Sequence, residues 1–127
     1  METGPGVDPS CTRRFFDEKA LRRARSLDER FEAAREDARR IVSMLERDYS
    51  PRRIYQWGSL LDRARFSEIS DIDLAVEGIA GTERYFELYG KALAMTSFPL
   101  DLVELERIEP IHADSIRKGG KLLYERP

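Results

Sequence analysis

Two aspartates, Asp71 and Asp73, stand one residue apart in the run Ser70-Asp71-Ile72-Asp73-Leu74-Ala75-Val76. A strand puts residues two apart on one face, roughly 6.6–7 Å from each other along the backbone. From that base, carboxylate oxygens can converge on one hard cation, or on two ions about 3.5–4 Å apart. Magnesium suits such a site, because it takes oxygen ligands and keeps waters and substrate phosphates in its shell. Left to themselves, the paired carboxylates repel, which raises a pKa and destabilises the strand. A third acid, Asp101, lies in a later run, Leu100-Asp101-Leu102-Val103. If that run is a strand beside the first, three carboxylates line one cleft.

Gly58-Ser59 supplies the complementary half of such a site. Glycine lets the backbone approach a ligand closely, and successive N–H groups after a strand form a nest for an anion. The Ser59 hydroxyl adds a donor, and Arg63 and Arg65 in the following loop can reach the same phosphates. Acids that hold metal, with backbone donors that hold a polyphosphate, are what phosphoryl or nucleotidyl transfer requires. Singly, an Asp-x-Asp or a Gly-Ser is more often a turn. The ordered combination, each piece beside its own strand, selects a site.

The elements that would position these residues follow from hydrophobic period. Residues 12 to 25 read as a short basic helix. A second helix starts near Ser26, where Ser26 and Glu29 have capping-box spacing. Along it Leu27, Phe31, Ala34, Ala38, Ile41 and Leu45 recur every three or four residues, and Glu36 and Arg40 are spaced to pair. Proline at 51 ends it. Strands are predicted over 54–57, 72–77, 100–105 and 121–124, and helices from Thr82 as cap to about Thr96 and over 111–118. Gly90 reads as a close-packing position, and Glu77 as a solvated strand end. The order α-β-β-α-β-α-β predicts an α+β fold, a small mixed sheet with helices packed on one face.

Composition bounds the rest. The 127 residues make one domain, expected over 11–127 after a disordered lead-in over 1–10. A net charge of -2 argues against nucleic-acid binding by bulk charge, although Arg13, Arg14, Lys19, Arg22, Arg23 and Arg25 crowd the N-terminal quarter. A single cysteine, Cys11, excludes an internal disulfide and fits a cytoplasmic setting. No apolar run has the length of a membrane span. With His112 the only histidine, a His-based zinc site or a Ser-His-Asp triad has no partner. Trp57 and Tyr55 could stack on a base, but aromatics in a short strand are usually core.

From Gly58-Ser59 through the two aspartates to Asp101 and the closing IRKGGKLLYE segment, the chain resembles the minimal nucleotidyltransferases of the DNA polymerase β-like superfamily. The resemblance covers roughly residues 54–124 and implies the polymerase β-like fold. It implies that Asp71 and Asp73 bind one or two magnesium ions with ATP. It further implies that Asp101 completes the metal site and helps activate the attacking hydroxyl, and that Gly58 and Ser59 hold the triphosphate. The loop departs from the family pattern: Asp62, Arg63 and Ala64 stand where another glycine is usual, and it is one residue longer.

Small members of this family resemble antitoxins paired with HEPN-type toxins encoded beside them, which implies transfer of AMP to a toxin tyrosine and a homo- or hetero-oligomer. Two other readings stay open. One is an antitoxin that neutralises by binding alone; the other is an enzyme acting on a small molecule such as an aminoglycoside. Arg107 and His112 match the Arg-x4-His spacing of HEPN ribonucleases, but Pro110 interrupts them, so the match is coincidence.

Overall fold

The computed structural model describes residues 9–127, with side chains from Arg13 onward. Residues 1–8 of the expected lead-in and the Cys11 side chain lie outside the described part. Helix α1 (Pro9–Tyr49) is followed by β1 (Arg53–Trp57), two 3-10 turns (Gly58–Leu61 and Arg63–Arg65) and β2 (Ile72–Glu77). Then come α2 (Thr82–Ala94), β3 (Leu100–Glu104), α3 (Pro110–Gly119) and β4 (Lys121–Glu125).

The two predicted N-terminal helices are one helix of 41 residues, about 60 Å long. No glycine or proline interrupts residues 10 to 49, so the Ser26/Glu29 spacing caps nothing and Ser26 sits exposed in mid-helix. Pro9 opens α1 at the position where its missing N–H costs nothing. At the other end Ser50 takes a left-handed φ of 43°, its N–H closes on the Leu45 carbonyl, and Pro51 prevents continuation. Charged pairs on α1 run i to i+3, Arg39 to Glu36 and Arg40 to Asp37, rather than Glu36 to Arg40.

The mixed sheet has the order β3-β2-β1-β4. β1 is antiparallel to β2 and β4, and β2 is parallel to β3. Ile54, Ile72, Leu74, Val76 and Leu102 project from one face onto Phe31, Ala34, Ala38, Ile41 and Leu45 of α1 and Leu88 and Ala92 of α2. This is the main core. The opposite face carries Tyr55 and Ala75, which pack with Leu105 and with Ala113 and Ile116 of α3 in a smaller cluster. That leaves the acid end of this face open. The fold is the expected α+β mixed sheet, except that the helices do not share one face: α1 and α2 cover one side, and α3 packs on the other over Tyr55 and Ala75.

Local chemistry differs from the sequence reading at four places. Gly81, not Thr82, precedes α2, and the Thr82 hydroxyl instead accepts from Arg107. A Cβ at Gly90 would meet nothing within 4 Å, so that glycine marks no close packing. Pro110 starts α3 rather than breaking a helix, and it leaves Arg107 outside the helix that carries His112. Glu77 is 6% exposed and not solvated: Arg53 and Arg117 clamp it, with contacts of 2.7 and 2.9 Å. No described helix is long and apolar enough to cross a membrane.

Burial works to raise the Glu77 pKa, and hydrogen bonds from Arg117 and Arg53 outweigh it and hold the carboxyl below its ordinary value. The clamp therefore stabilises the fold above the ordinary glutamate range and is lost as pH falls through the lowered native pKa. Glu77→Ala is expected to cost about 2–3 kcal/mol at pH 7, moderated because both guanidiniums reach solvent. The difference from the parent should shrink in acid, as followed by chemical denaturation at several pH values.

Candidate active site

The hydrophobic alternation of β2 fixes which way its acids point. Ile72, Leu74 and Val76 are buried in the main core, so Asp73, Ala75 and Glu77 face the other side, with Asp71 one step before the strand. The parallel register then pairs Asp73 with Asp101. Neighbouring strands lie about 4.8 Å apart, so these two carboxylates are cross-strand neighbours on one face. On the other side of Asp73 the antiparallel register places Trp57. One row across the sheet thus reads Asp101, Asp73, Trp57, and the chain turns at Gly58 directly after it.

Gly58 is where backbone and acid meet. Its φ is +80°, a conformation that disfavours any side chain, and a Cβ there would lie 2.0 Å from Asp73 Oδ2. Only glycine lets the turn close over that carboxylate. The 3-10 turn carries on through Ser59, whose carbonyl accepts from the Asp62 N–H at 3.2 Å. The Asp62 side chain in turn accepts from the Ala64 N–H at 3.0 Å, opening the second 3-10 turn. Buried Ser70 accepts from the Ser67 N–H at 2.9 Å, which fixes the approach to Asp71.

Asp73 is pushed up to about 6, first by burial, then by the charges of Asp101 and Asp71. Among the described residues none of the three acids makes an ion pair, although arginines are plentiful. Nor do any three His, Cys, Asp or Glu side chains among the described residues stand close enough to hold an ion as they are. What the fold fixes is the backbone placement, with Asp73 and Asp101 in register and Asp71 one step before β2. The donor set, three carboxylates beside a glycine that admits a close ligand, fits a hard cation with phosphate oxygens in its shell.

β3 is held at its outer edge by α2. The Tyr85 and Tyr89 hydroxyls donate to the backbone carbonyls of Leu102 and Leu100, on either side of Asp101. Burial pushes the Tyr85 hydroxyl up to about 12, with smaller contributions from Tyr89, Glu104 and Asp101, so it stays a donor. Sequence reasoning gave the helix from Thr82 and missed that the hydroxyls of these two tyrosines hold the strand that carries Asp101. A repeat of tyrosine at i and i+4, rather than phenylalanine, was the available signal.

The basic candidates separate. Arg63 lies against α1: it contacts Asp28 at 3.0 Å and Glu32, and stacks over the Phe31 ring at 4.8 Å. Phe66 packs edge-on against the same ring at 5.2 Å. Arg65 is exposed on the loop. Trp57 is half-buried, with His112 of α3 edge-on to it at 5.5 Å, whereas Tyr55 is core. A groove of about 430 Å³ lies on the other sheet face between α1 and β4, lined by Glu36, Arg39, Val42, Gln56 and Lys121.

Residues 39–127 match the family described as Polymerase beta, Nucleotidyltransferase. The chain belongs to that nucleotidyltransferase family. Among solved structures it is similar to the toxin-antitoxin MntA-HepT, at 24% identity over 72% of each chain with a TM-score of 0.53. A mutant of that pair, carrying two aspartate-to-glutamate exchanges, aligns at 27% identity over 69% of this chain and 72% of that one, with a TM-score of 0.53. A toxin-antitoxin with AMP-PNP aligns at 28% over 68% and 72%, with a TM-score of 0.54. No curated protein matches the chain.

Two outcomes follow from the geometry. Asp73→Asn is expected to stabilise the protein at pH 8 by about 1 kcal/mol, allowing for solvent screening at the cleft mouth. As pH falls through about 6 the native carboxyl protonates, and the advantage should fade toward pH 4 in thermal scans. Gly58→Ala should keep its circular dichroism spectrum but lose about 1 kcal/mol to backbone strain and displace Asp73.

Proposed function

We propose that this nucleotidyltransferase moves AMP from ATP to a hydroxyl, with magnesium, and that the acceptor is a tyrosine of a HEPN-type toxin encoded beside it. On this reading the protein is a cytoplasmic antitoxin that disarms its partner by covalent modification. The observation that carries the reading is the seating of Asp73 between Asp101 and Gly58, where acids and the triphosphate turn meet on one row of the sheet. The toxin–antitoxin neighbours support the partner. The exchanged aspartates of one of them, two positions apart, have the spacing of Asp71 and Asp73. The AMP-PNP neighbour supports a nucleoside triphosphate as substrate.

In this scheme Asp71, Asp73 and Asp101 hold magnesium, which when bound neutralises phosphate charge and supports the leaving pyrophosphate. The Gly58 and Ser59 N–H groups and the Ser59 hydroxyl donate to the triphosphate. Arg65 adds charge from the exposed loop, while Arg63 reaches the phosphates only by leaving Asp28 and Glu32. Asp101 takes the proton of the attacking hydroxyl. The oxygen of that hydroxyl bonds to the α-phosphorus, and the bond from that phosphorus to the bridging oxygen of the β-phosphate breaks, so that pyrophosphate leaves.

A second reading, neutralisation by binding alone, is favoured by one observation: Arg63 is committed to α1 rather than to the phosphate turn. Mixing the protein with labelled ATP, magnesium and the neighbouring gene's product separates the two. AMP transferred to a toxin tyrosine, and at least a hundredfold slower transfer by Asp71→Ala/Asp73→Ala, is the expected result by mass spectrometry. No transfer, together with full neutralisation by that double variant, establishes the binding reading. Transfer to an aminoglycoside instead would place the protein among small-molecule enzymes.

A further inference from the structure

We propose that residues 13–27 form a docking arm for an acidic α-helix of another protein. The family match begins at residue 39, and α1 begins thirty residues earlier. Residues 13–26 are exposed on every side of the helix, and contacts with the body start only where Arg63 meets Asp28. The arm nevertheless carries large apolar side chains, Phe15, Phe16 and Leu21, which are 56%, 59% and 60% exposed. A charged surface helix that needs only solvent does not require them.

Their spacing continues the core seam. Phe31, Ala34, Ala38, Ile41 and Leu45 alternate steps of three and four, and the same alternation runs back through Leu27, Ala24 and Ala20. Phe16 and Leu21 flank the seam, as do Arg14 and Arg23. In the body the sheet covers this stripe, and beyond the body none of the described residues does. The seam is shaped for a helix, and its basic flanks specify that helix's charge. Residues 13–26 hold six basic and two acidic side chains, against a whole-chain charge of -2, so the arm is the positive part of an otherwise acidic protein.

A second copy fits less well. Two arms bring like charge together and set Asp17 against its own counterpart in the seam. Asp28, which Arg23 of a parallel copy would meet, is already held by Arg63. The phenylalanines and acids among the arginines also favour a polypeptide over a nucleic-acid backbone. The inference goes beyond the transferase reading and needs neither ATP nor magnesium.

The test uses the full-length protein and two labelled synthetic helical peptides with one leucine seam, one flanked by glutamates and its twin by lysines. Fluorescence anisotropy should show the glutamate peptide binding at least tenfold more tightly than the twin, and weakening with salt. Phe16→Asp/Leu21→Asp should reduce that binding at least tenfold with unchanged circular dichroism and unchanged AMP transfer. Equal affinity for the twins, or undiminished binding by the variant, would overturn the proposal. So would a dimer that the variant dissolves, or an RNA hairpin that displaces the peptide and binds more tightly.

Discussion

The parallel pairing of β2 with β3 is the constraint on which the candidate active site rests. It sets Asp73 beside Asp101, an arrangement that electrostatics alone opposes. Parallel strands cannot be joined by a tight turn, so α2 must cross between them, and its packing decides where β3 lies. Leu88 and Ala92 bury α2 against the core, and Tyr85 and Tyr89 tie it to the carbonyls that bracket Asp101. Apolar burial of Ile72, Leu74, Val76 and Leu102 on one face thereby offsets charge repulsion on the other. The same alternation that makes the core delivers the acids.

Two carboxylates of β2 show how much the surroundings decide. Asp73 and Glu77 share a strand and a face, four residues apart, yet their pKa values move in opposite directions. Burial raises both. At Glu77 two arginines more than compensate, and the group becomes a structural clamp that joins β1, β2 and α3. At Asp73 the neighbours are acids and a glycine, so the charge is left uncompensated by the protein. The chain has the arginines to neutralise this end of the sheet and places them elsewhere. That is the pattern of a site whose balancing charge comes from its ligand.

Much of this was legible because periodicity and charge are local. The alternation Ile72-Asp73-Leu74 gave the face, and Gly58 could be recognised as a backbone requirement before its φ was known. What stayed hidden depended on distance in space. Glu77 looks like a solvated strand end until Arg117, forty residues on, is seen to reach it. Arg63 reads as a free loop cation until Asp28 and Glu32, some thirty residues earlier, are seen to pair with it. The helix boundary at Ser26 was misread because capping-box spacing also arises by chance inside an uninterrupted helix. Gly90 was misread because a glycine's neighbours cannot be deduced from its own helix.

Arg63 also explains how the departure from the family's loop is accommodated. A glycine in that region would allow the loop to wrap a ligand; this chain replaces that freedom with an anchor. Phe66 and the Arg63 side chain bracket the Phe31 ring, and Asp28 and Glu32, one turn apart on α1, complete the attachment. The anchor sits on α1 where the exposed arm ends and the buried stripe begins. The longer loop and the longer helix are therefore physically linked: the loop is ordered by the helix, and the helix gains its first tertiary contacts from the loop. Any force that bends or rotates α1 at Phe31 is passed to the segment between Gly58 and Asp71, which holds the turn that closes over Asp73.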